Sequence, residues 1–399
     1  MRNFILSFSA DRLLLLLFII LVTAHVYRIN AEATGYTSPD SRFYLELAGN
    51  LQKGKGFYII NRTTNEPQFF YVWPVGYPVL LYVVAQITSL SLFWSSKVLN
   101  FLLLGFNFLI LRQLSQRYSF VLASIFCSYT LMEVYSYTWS EAPFITALLF
   151  LALLISKPLP LFDKNRYVIL LVMTCLFLFL VRYIGAFSLG VIALLSMYNL
   201  LRQCKQLAIK LGVASVFLLF LMLLYLSINY YFGNSFTGSG RFEIEREPIQ
   251  DFVLMLYSGL FNEFLIVRKY RIWGDLLFIF TTLVQVAIVV VIFLRLKTQQ
   301  SFKGYMKNSF TNSCFGIGLL YLLALIGLRF ISHFDDLDYR LLSPFSTLII
   351  AGLMYAIVKL PDNKNTIIAK LLCFGFYLFS LFLNLPKQYL LEKLGYLTF

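Results

Sequence analysis

Residues Arg12–Phe57 read RLLLLLFIILVTAHVYRINAEATGYTSPDSRFYLELAGNLQKGKGF. An unbroken apolar run, Leu13–Tyr27, gives way within a few residues to a polar stretch, Tyr36–Phe57, that carries the carboxylate of Asp40. The run follows Arg2 and Arg12 as the core of a signal peptide would. No small-x-small cleavage site precedes the loop, so it reads as a retained anchor. Hydrophobic runs of this kind recur to the end of the chain, about twelve in all, the last being Leu342–Val358 and Ile367–Leu385. They approach the roughly 20 residues that cross a hydrocarbon core about 30 Å thick.

The composition agrees. Of 399 residues, 59% are hydrophobic and 13% charged, and the mean hydropathy is +0.76. Soluble domains carry about a quarter charged residues. A backbone in lipid must satisfy its polar groups within its own helix. The expected fold class is therefore all-α, a polytopic transmembrane helical bundle of about 11–12 spans forming one integral membrane domain over residues 1–399. The net charge of +14 comes from 33 Lys and Arg against 19 Asp and Glu. It gathers in short connections between runs, as the positive-inside rule requires. No basic stripe with interleaved aromatics stands on a soluble domain, which excludes nucleic acid as a partner. The five cysteines are scattered without a CxxC pair, so neither a disulfide framework nor a zinc site is indicated.

With the N-terminus inside, the basic connections at 157–166, 202–210, 295–307 and 359–364 all become cytoplasmic if one early run fails to cross. The candidate lies within Val75–Leu111, where Pro74 and Pro78 open the first piece and Ser95, Ser96 and Lys97 interrupt it. About eleven crossings and an external C-terminus follow. The stretches 28–74, 139–141, 231–275 and 333–340 then share the outer side of a plasma (inner) membrane, and any chemistry is external.

In Ser38–Leu51 the apolar positions Phe43, Leu47 and Leu51, and Tyr44 and Ala48, recur at i, i+4, which predicts an amphipathic interfacial helix in the first external loop. Ser38-Pro39-Asp40 starts it, and Gly54 and Gly56 break it. Asp40 reads either as a helix N-terminal cap or as a general base or metal ligand at the membrane surface. Tyr77 lies in YVWPVGYPVLLY (Tyr71–Tyr82), whose aromatics suit an interfacial belt. Glu141 sits at the corner Trp139-Ser140-Glu141, where an acid is cheap to solvate. Glu133, deeper in its run, requires a partner or a wet cavity. Arg182 either snorkels to the headgroups or faces a lipid phosphate. The stretch ISHFDDLDYRLLSP (Ile331–Pro344) gathers His333, Asp335, Asp336, Asp338 and Arg340. It is either a divalent-cation site or a hydrated loop, with Arg340 suited to a phosphate. Asn61-Arg62-Thr63 fits a glycosylation sequon.

In their order these pieces resemble the GT-C superfamily of polytopic glycosyltransferases, which includes protein O-mannosyltransferases and the lipid A aminoarabinose transferase. A first span is followed by SPDSRFYLELAGNLQKGKGF, whose Asp40 matches the acid of that superfamily's first external loop, and then by the proline-rich WPVGYP at Trp73–Pro78. A second acid follows at Ser140-Glu141, with RYIG at Arg182–Gly185 and DYRLLSP at Asp338–Pro344 beyond. The match covers residues 10–200 as a catalytic module, with 201–399 as further spans completing a lipid-donor site. The resemblance departs from the pattern in a single first-loop acid and in the lack of a lysine before the prolines. It implies transfer of a sugar from a polyprenyl-phosphate donor to a glycan, lipid or protein acceptor, among membrane lipids. Asp40 and Glu141 are then the catalytic acids, and Arg340 and Arg182 the phosphate contacts. Tyr44 and Tyr77 complete the candidate substrate contacts, and a divalent metal ion on Asp40, Glu141, His333 and Asp336 is the candidate cofactor. A lipid or solute transporter is the rival reading; it predicts ionisable groups at mid-membrane and internal repeats.

Overall fold

A computed structural model of the chain describes residues 2–62, 64–157, 164–238, 248–261, 276–297, 308–331 and 337–386. Over these residues it is a helical bundle whose only strands form one short hairpin. Among the described residues, eight helices are long and apolar enough to cross a membrane, or nine when a bent pair is counted as one span. The first is α1, Arg2–Ala31. The short amphipathic α2, Pro39–Gln52, follows, then the hairpin of β1, Tyr58–Ile60, and β2, Pro67–Phe69, in the antiparallel register Tyr58↔Phe69. Next come α3, Gly76–Thr88, and α4, Leu92–Leu114. The bent pair consists of α5, Ser119–Ala123, with a 3-10 turn, and α6, Tyr129–Ser136, at 72° to each other. The remaining helices are α7 (Glu141–Ser156), α8 (Lys164–Val181), α9 (Ser188–Leu201), α10 (Lys205–Gly233), α11 (Ile249–Phe261), α12 (Leu276–Lys297), α13 (Ser309–Ile331), α14 (Tyr339–Lys359) and α15 (Lys364–Leu383).

The break in the early apolar stretch differs from the expected one. It lies at Ser89–Ser91, where Ser89 takes a positive φ of 57° and Ser91 caps α4 through its side chain. Ser95, Ser96 and Lys97 instead sit inside α4, fully buried. At about 1.5 Å per residue α3 reaches only about 20 Å, short of a hydrocarbon core about 30 Å thick. It packs against α2 and α4.

The centre of the bundle is α7, an apolar helix buried along nearly its whole length and packed by α4, α8, α13 and α14. Its small residues Ala142, Ala147 and Ala152 let the neighbouring helices approach closely. By contrast α9 and α10 turn most of their surface outward, with 22% and 33% of their apolar windows buried against 78% for α14. A second, smaller core lies beneath the hairpin, where Tyr44, Leu47 and Ala48 of α2 meet Phe70, Tyr77 and Leu81. The apolar face of α2 is thus spent on the protein.

The two ends of the bundle differ in charge. At one end Arg112 pairs with Asp11 at 2.7 Å, Arg117 with Asp362 at 2.5 Å, and Lys157 and Lys210 donate to Gln113 and Asn165. At the other end the C-terminal end of α8 meets the N-terminal ends of α2, α7 and α14.

Candidate functional site

Ser38 caps α2 by a reciprocal pair of bonds with Ser41: its hydroxyl accepts from the Ser41 amide while the Ser41 hydroxyl accepts from the Ser38 amide. Pro39 occupies the first turn, where its missing N–H costs nothing. The capping role offered for Asp40 is therefore filled by Ser38. The Asp40 carboxylate instead reaches across to α14, where Arg340 Nη2 donates to Asp40 Oδ2 at 2.8 Å.

The same guanidinium donates from Nε to Glu141 Oε1 at 2.6 Å. Arg182, at the end of α8, forms an ion pair with that same oxygen. Glu141 is fully buried, and its Oε2 has no hydrogen-bond partner among the described residues. The expectation of a cheaply solvated corner acid is thus overturned, because α7 begins inside the protein and not at its rim. Arg182 does not snorkel; its side chain is 15% exposed and turned onto Glu141. Two carboxylates and two guanidiniums form one nearly neutral network, which is the condition under which such charges survive burial.

Local structure fixes each of these groups. Asp338 caps α14, accepting from the amides of Arg340 and Leu341 at 2.9 and 3.1 Å. Burial lifts its carboxyl to about 6, although the same amide bonds and the Arg340 charge pull the other way. The Arg340 guanidinium lies 4.4 Å from the centre of the Trp139 ring, and Trp139 Nε1 donates to Ser38 Oγ at 2.8 Å. Gly76 lets α3 come close to the end of α8, since a Cβ there would stand 2.4 Å from the Leu180 carbonyl oxygen. Gly185 likewise lets the turn after Arg182 fold back, as a Cβ would meet Leu178 backbone at 2.3 Å. Tyr183 then ties this turn to Tyr71 O at 2.7 Å.

The network borders a cavity of about 550 Å³ lined by Asp40, Tyr44, Trp73, Ser140, Arg182 and Arg340, with an apolar wall of Val181, Ile184, Leu325, Leu328, Ile331 and Leu341. Tyr44 OH lies 3.5 Å from Ser140 Oγ, and burial, followed by the nearby Asp40 and Glu141, raises its phenol well above the usual value. Tyr44 is therefore a neutral hydroxyl at the cavity edge. Tyr77 stands behind it, edge-on at 5.1 Å, and is not among the lining residues.

Four of the residues singled out in the sequence thus converge: Asp40, Glu141, Arg182 and Arg340. His333, Asp335 and Asp336 lie outside the described residues. Among the described residues no three metal-ligating side chains cluster. The Arg340 guanidinium bridges Asp40 Oδ2 and Glu141 Oε1. Glu133 belongs to a separate buried cluster, paired with Arg28, which also donates to Tyr36 OH at 2.8 Å. Sequence reasoning missed Trp139 as a platform for Arg340. Its adjacency to Ser140-Glu141 was the available signal.

No protein-family model and no curated protein matches this sequence. Two solved structures do share its fold, those of ArnT from Cupriavidus metallidurans in the apo state and bound to undecaprenyl phosphate. They are 10% and 11% identical, with TM-scores of 0.50 and 0.51. In both cases the likeness covers 87% of this chain and 60% of the other, so the chain spans about 60% of the length of the ArnT structures it matches.

Proposed function

We propose that this multi-pass membrane protein is a GT-C-type glycosyltransferase that moves a sugar from a polyprenyl-phosphate donor to a glycan, lipid or protein acceptor. The single observation that carries the proposal is the convergence of Asp40, Arg182 and Arg340, tied together through the buried Glu141, on one cavity with an apolar wall. A polyprenyl phosphate has those two halves, an anionic head for the arginines and a hydrocarbon tail for the wall. ArnT, whose fold is similar, has been crystallised with undecaprenyl phosphate, which supports the same ligand class here.

In the proposed step an acceptor hydroxyl or amine attacks the anomeric carbon of the donor sugar. The bond from that carbon to the phosphate oxygen breaks, and the oxygen leaves with the electron pair as polyprenyl phosphate. The acceptor proton passes to Asp40, acting as general base. Arg340 and Arg182 neutralise charge developing on the departing phosphate. Glu141 holds both guanidiniums in position through one oxygen. An outer-face location is supported by charge, since the site lies at the end of the bundle away from Arg112, Arg117, Lys157 and Lys210. The cavity's place among helix ends argues for transfer over transport, which favours a site near the midplane.

The test is Asp40→Asn. The variant should bind undecaprenyl phosphate like the parent and lose transfer by about a hundredfold or more, the scale of a positioned base. Undiminished transfer by Asp40→Asn with an identified donor and acceptor would remove the base and refute the mechanism.

A further inference from the structure

The triplet Ser95-Ser96-Lys97 that reads as an interruption of an apolar run is buried inside α4, and Lys97 is 0% exposed. A lysine ammonium has three donors, and here each has an acceptor. They are Ser136 O at 2.8 Å, Thr138 Oγ1 at 3.1 Å and Tyr36 O at 3.2 Å. Ser136 ends α6 and Thr138 lies in the non-helical link between α6 and α7, both a few residues before Glu141. The third lies four residues before Asp40. Asn100, one turn along α4, donates to Tyr135 O at 3.1 Å and Tyr137 O at 2.8 Å, and Ser96 Oγ is 2.7 Å from Thr138 Oγ1. The two links are also joined directly, by Thr138 N to Tyr36 O at 3.2 Å and by Ser41 Oγ to Thr138 O at 2.9 Å.

We infer that Lys97 is a positioning residue, the buried cation that sets the spacing between the segments carrying Asp40 and Glu141. It touches neither acid and does not line the cavity. Hydrophobic packing alone does not hold two irregular segments in register, because their buried carbonyls need donors. The tripod of one ammonium meets that need for both segments at once. Arg340 bridges the two acids only at one separation, with both contacts under 3 Å, so loosening the links loosens the bridge.

The inference rests on the transfer reading for its activity arm and stands independently of it for its structural arm. Lys97→Met nearly keeps the volume of the unbranched side chain, one atom shorter, and removes all three donors. In the intact protein reconstituted in lipid nanodiscs, kcat should fall by about a hundredfold, the scale of a small misplacement of reacting groups. KM for the polyprenyl-phosphate donor should change less than about threefold, since Arg182 and Arg340 remain. Amide hydrogen exchange at 136–141 and 36–41 should rise by at least about tenfold, whereas exchange in α14 stays as in the parent. If the parent shows no transfer, the exchange result alone tests the clamp, and that failure falls on the proposed function. Unchanged exchange in both segments overturns the inference. So does a purely structural outcome, in which less protein folds and the folded fraction keeps the parent kcat. Should Lys97→Met fail to accumulate, Thr138→Val removes one acceptor of the three. It should reproduce the same kcat and exchange pattern at smaller size, and parent behaviour in both readouts overturns the inference.

Discussion

Arg340→Lys keeps the positive charge and removes the geometry. In the parent, two different nitrogens of one guanidinium serve two acids, Nε serving Glu141 at 2.6 Å and Nη2 serving Asp40 at 2.8 Å. A lysine offers one nitrogen on a flexible stem, so it bonds one acid well and leaves the other short of a charge-assisted hydrogen bond. Such a bond contributes about 1.5–3 kcal/mol. The loss of the planar cation over Trp139 adds about 1 kcal/mol. At about 1.4 kcal/mol per tenfold, binding of a phosphate that shares this guanidinium should weaken by roughly 60- to 700-fold. The assay is titration of the intact protein in lipid nanodiscs with undecaprenyl phosphate, followed by the fluorescence of Trp73 and Trp139, which stand at the cavity and against Arg340. A double-mutant cycle with Glu141→Gln should give a coupling of about 0.5–3 kcal/mol in apparent unfolding free energy. Affinity for Arg340→Lys within twofold of the parent, together with no coupling to Glu141, would refute the shared-guanidinium account.

Three further expectations follow from the same geometry. Trp139→Leu removes the cation–π platform and the bond to Ser38, and should weaken undecaprenyl phosphate binding by about tenfold, for a loss of about 1–2 kcal/mol, in the same titration. Asp338 has its carboxyl lifted by burial from an ordinary 3.8 to about 6, so the folded state holds the proton more tightly than the unfolded state. Its contribution should make apparent thermal stability fall as pH rises from about 4 to about 6 and level off above; Asp338→Asn, which keeps an acceptor for the Arg340 and Leu341 amides, should flatten that dependence. Glu133→Gln leaves Arg28 buried without its carboxylate, and should lower stability by about 3–5 kcal/mol while leaving undecaprenyl phosphate affinity unchanged; a matching loss of affinity would join the two clusters.

Much of this molecule is legible one segment at a time. The apolar runs, the start of α2 at Ser38-Pro39-Asp40 and its end before Gly54 and Gly56 all depend on residues within a turn or two of one another. Hydrophobic period, cap and breaker are local properties, and the sequence states them directly. The break at Ser89–Ser91 was misread because three polar residues in a row look like a boundary. Whether they are one depends on what neighbouring segments offer, and here Ser136 and Tyr36 offer carbonyls to Lys97.

The pairing of charges belongs to the tertiary structure. Arg340 lies 300 residues from Asp40 and 199 from Glu141, and no local rule selects it over other arginines at span ends. The same holds for Glu133, which has a chain position like that of Glu141 and joins a different cluster with Arg28. From the sequence alone come the membrane, the helices and the acids that merit attention, since lipid forces every span to satisfy its own backbone. Which acid meets which arginine, and which carboxylate is buried rather than wet, follows only from the order of helices around α7, because an ion pair in a low-dielectric interior is decided by distance in space.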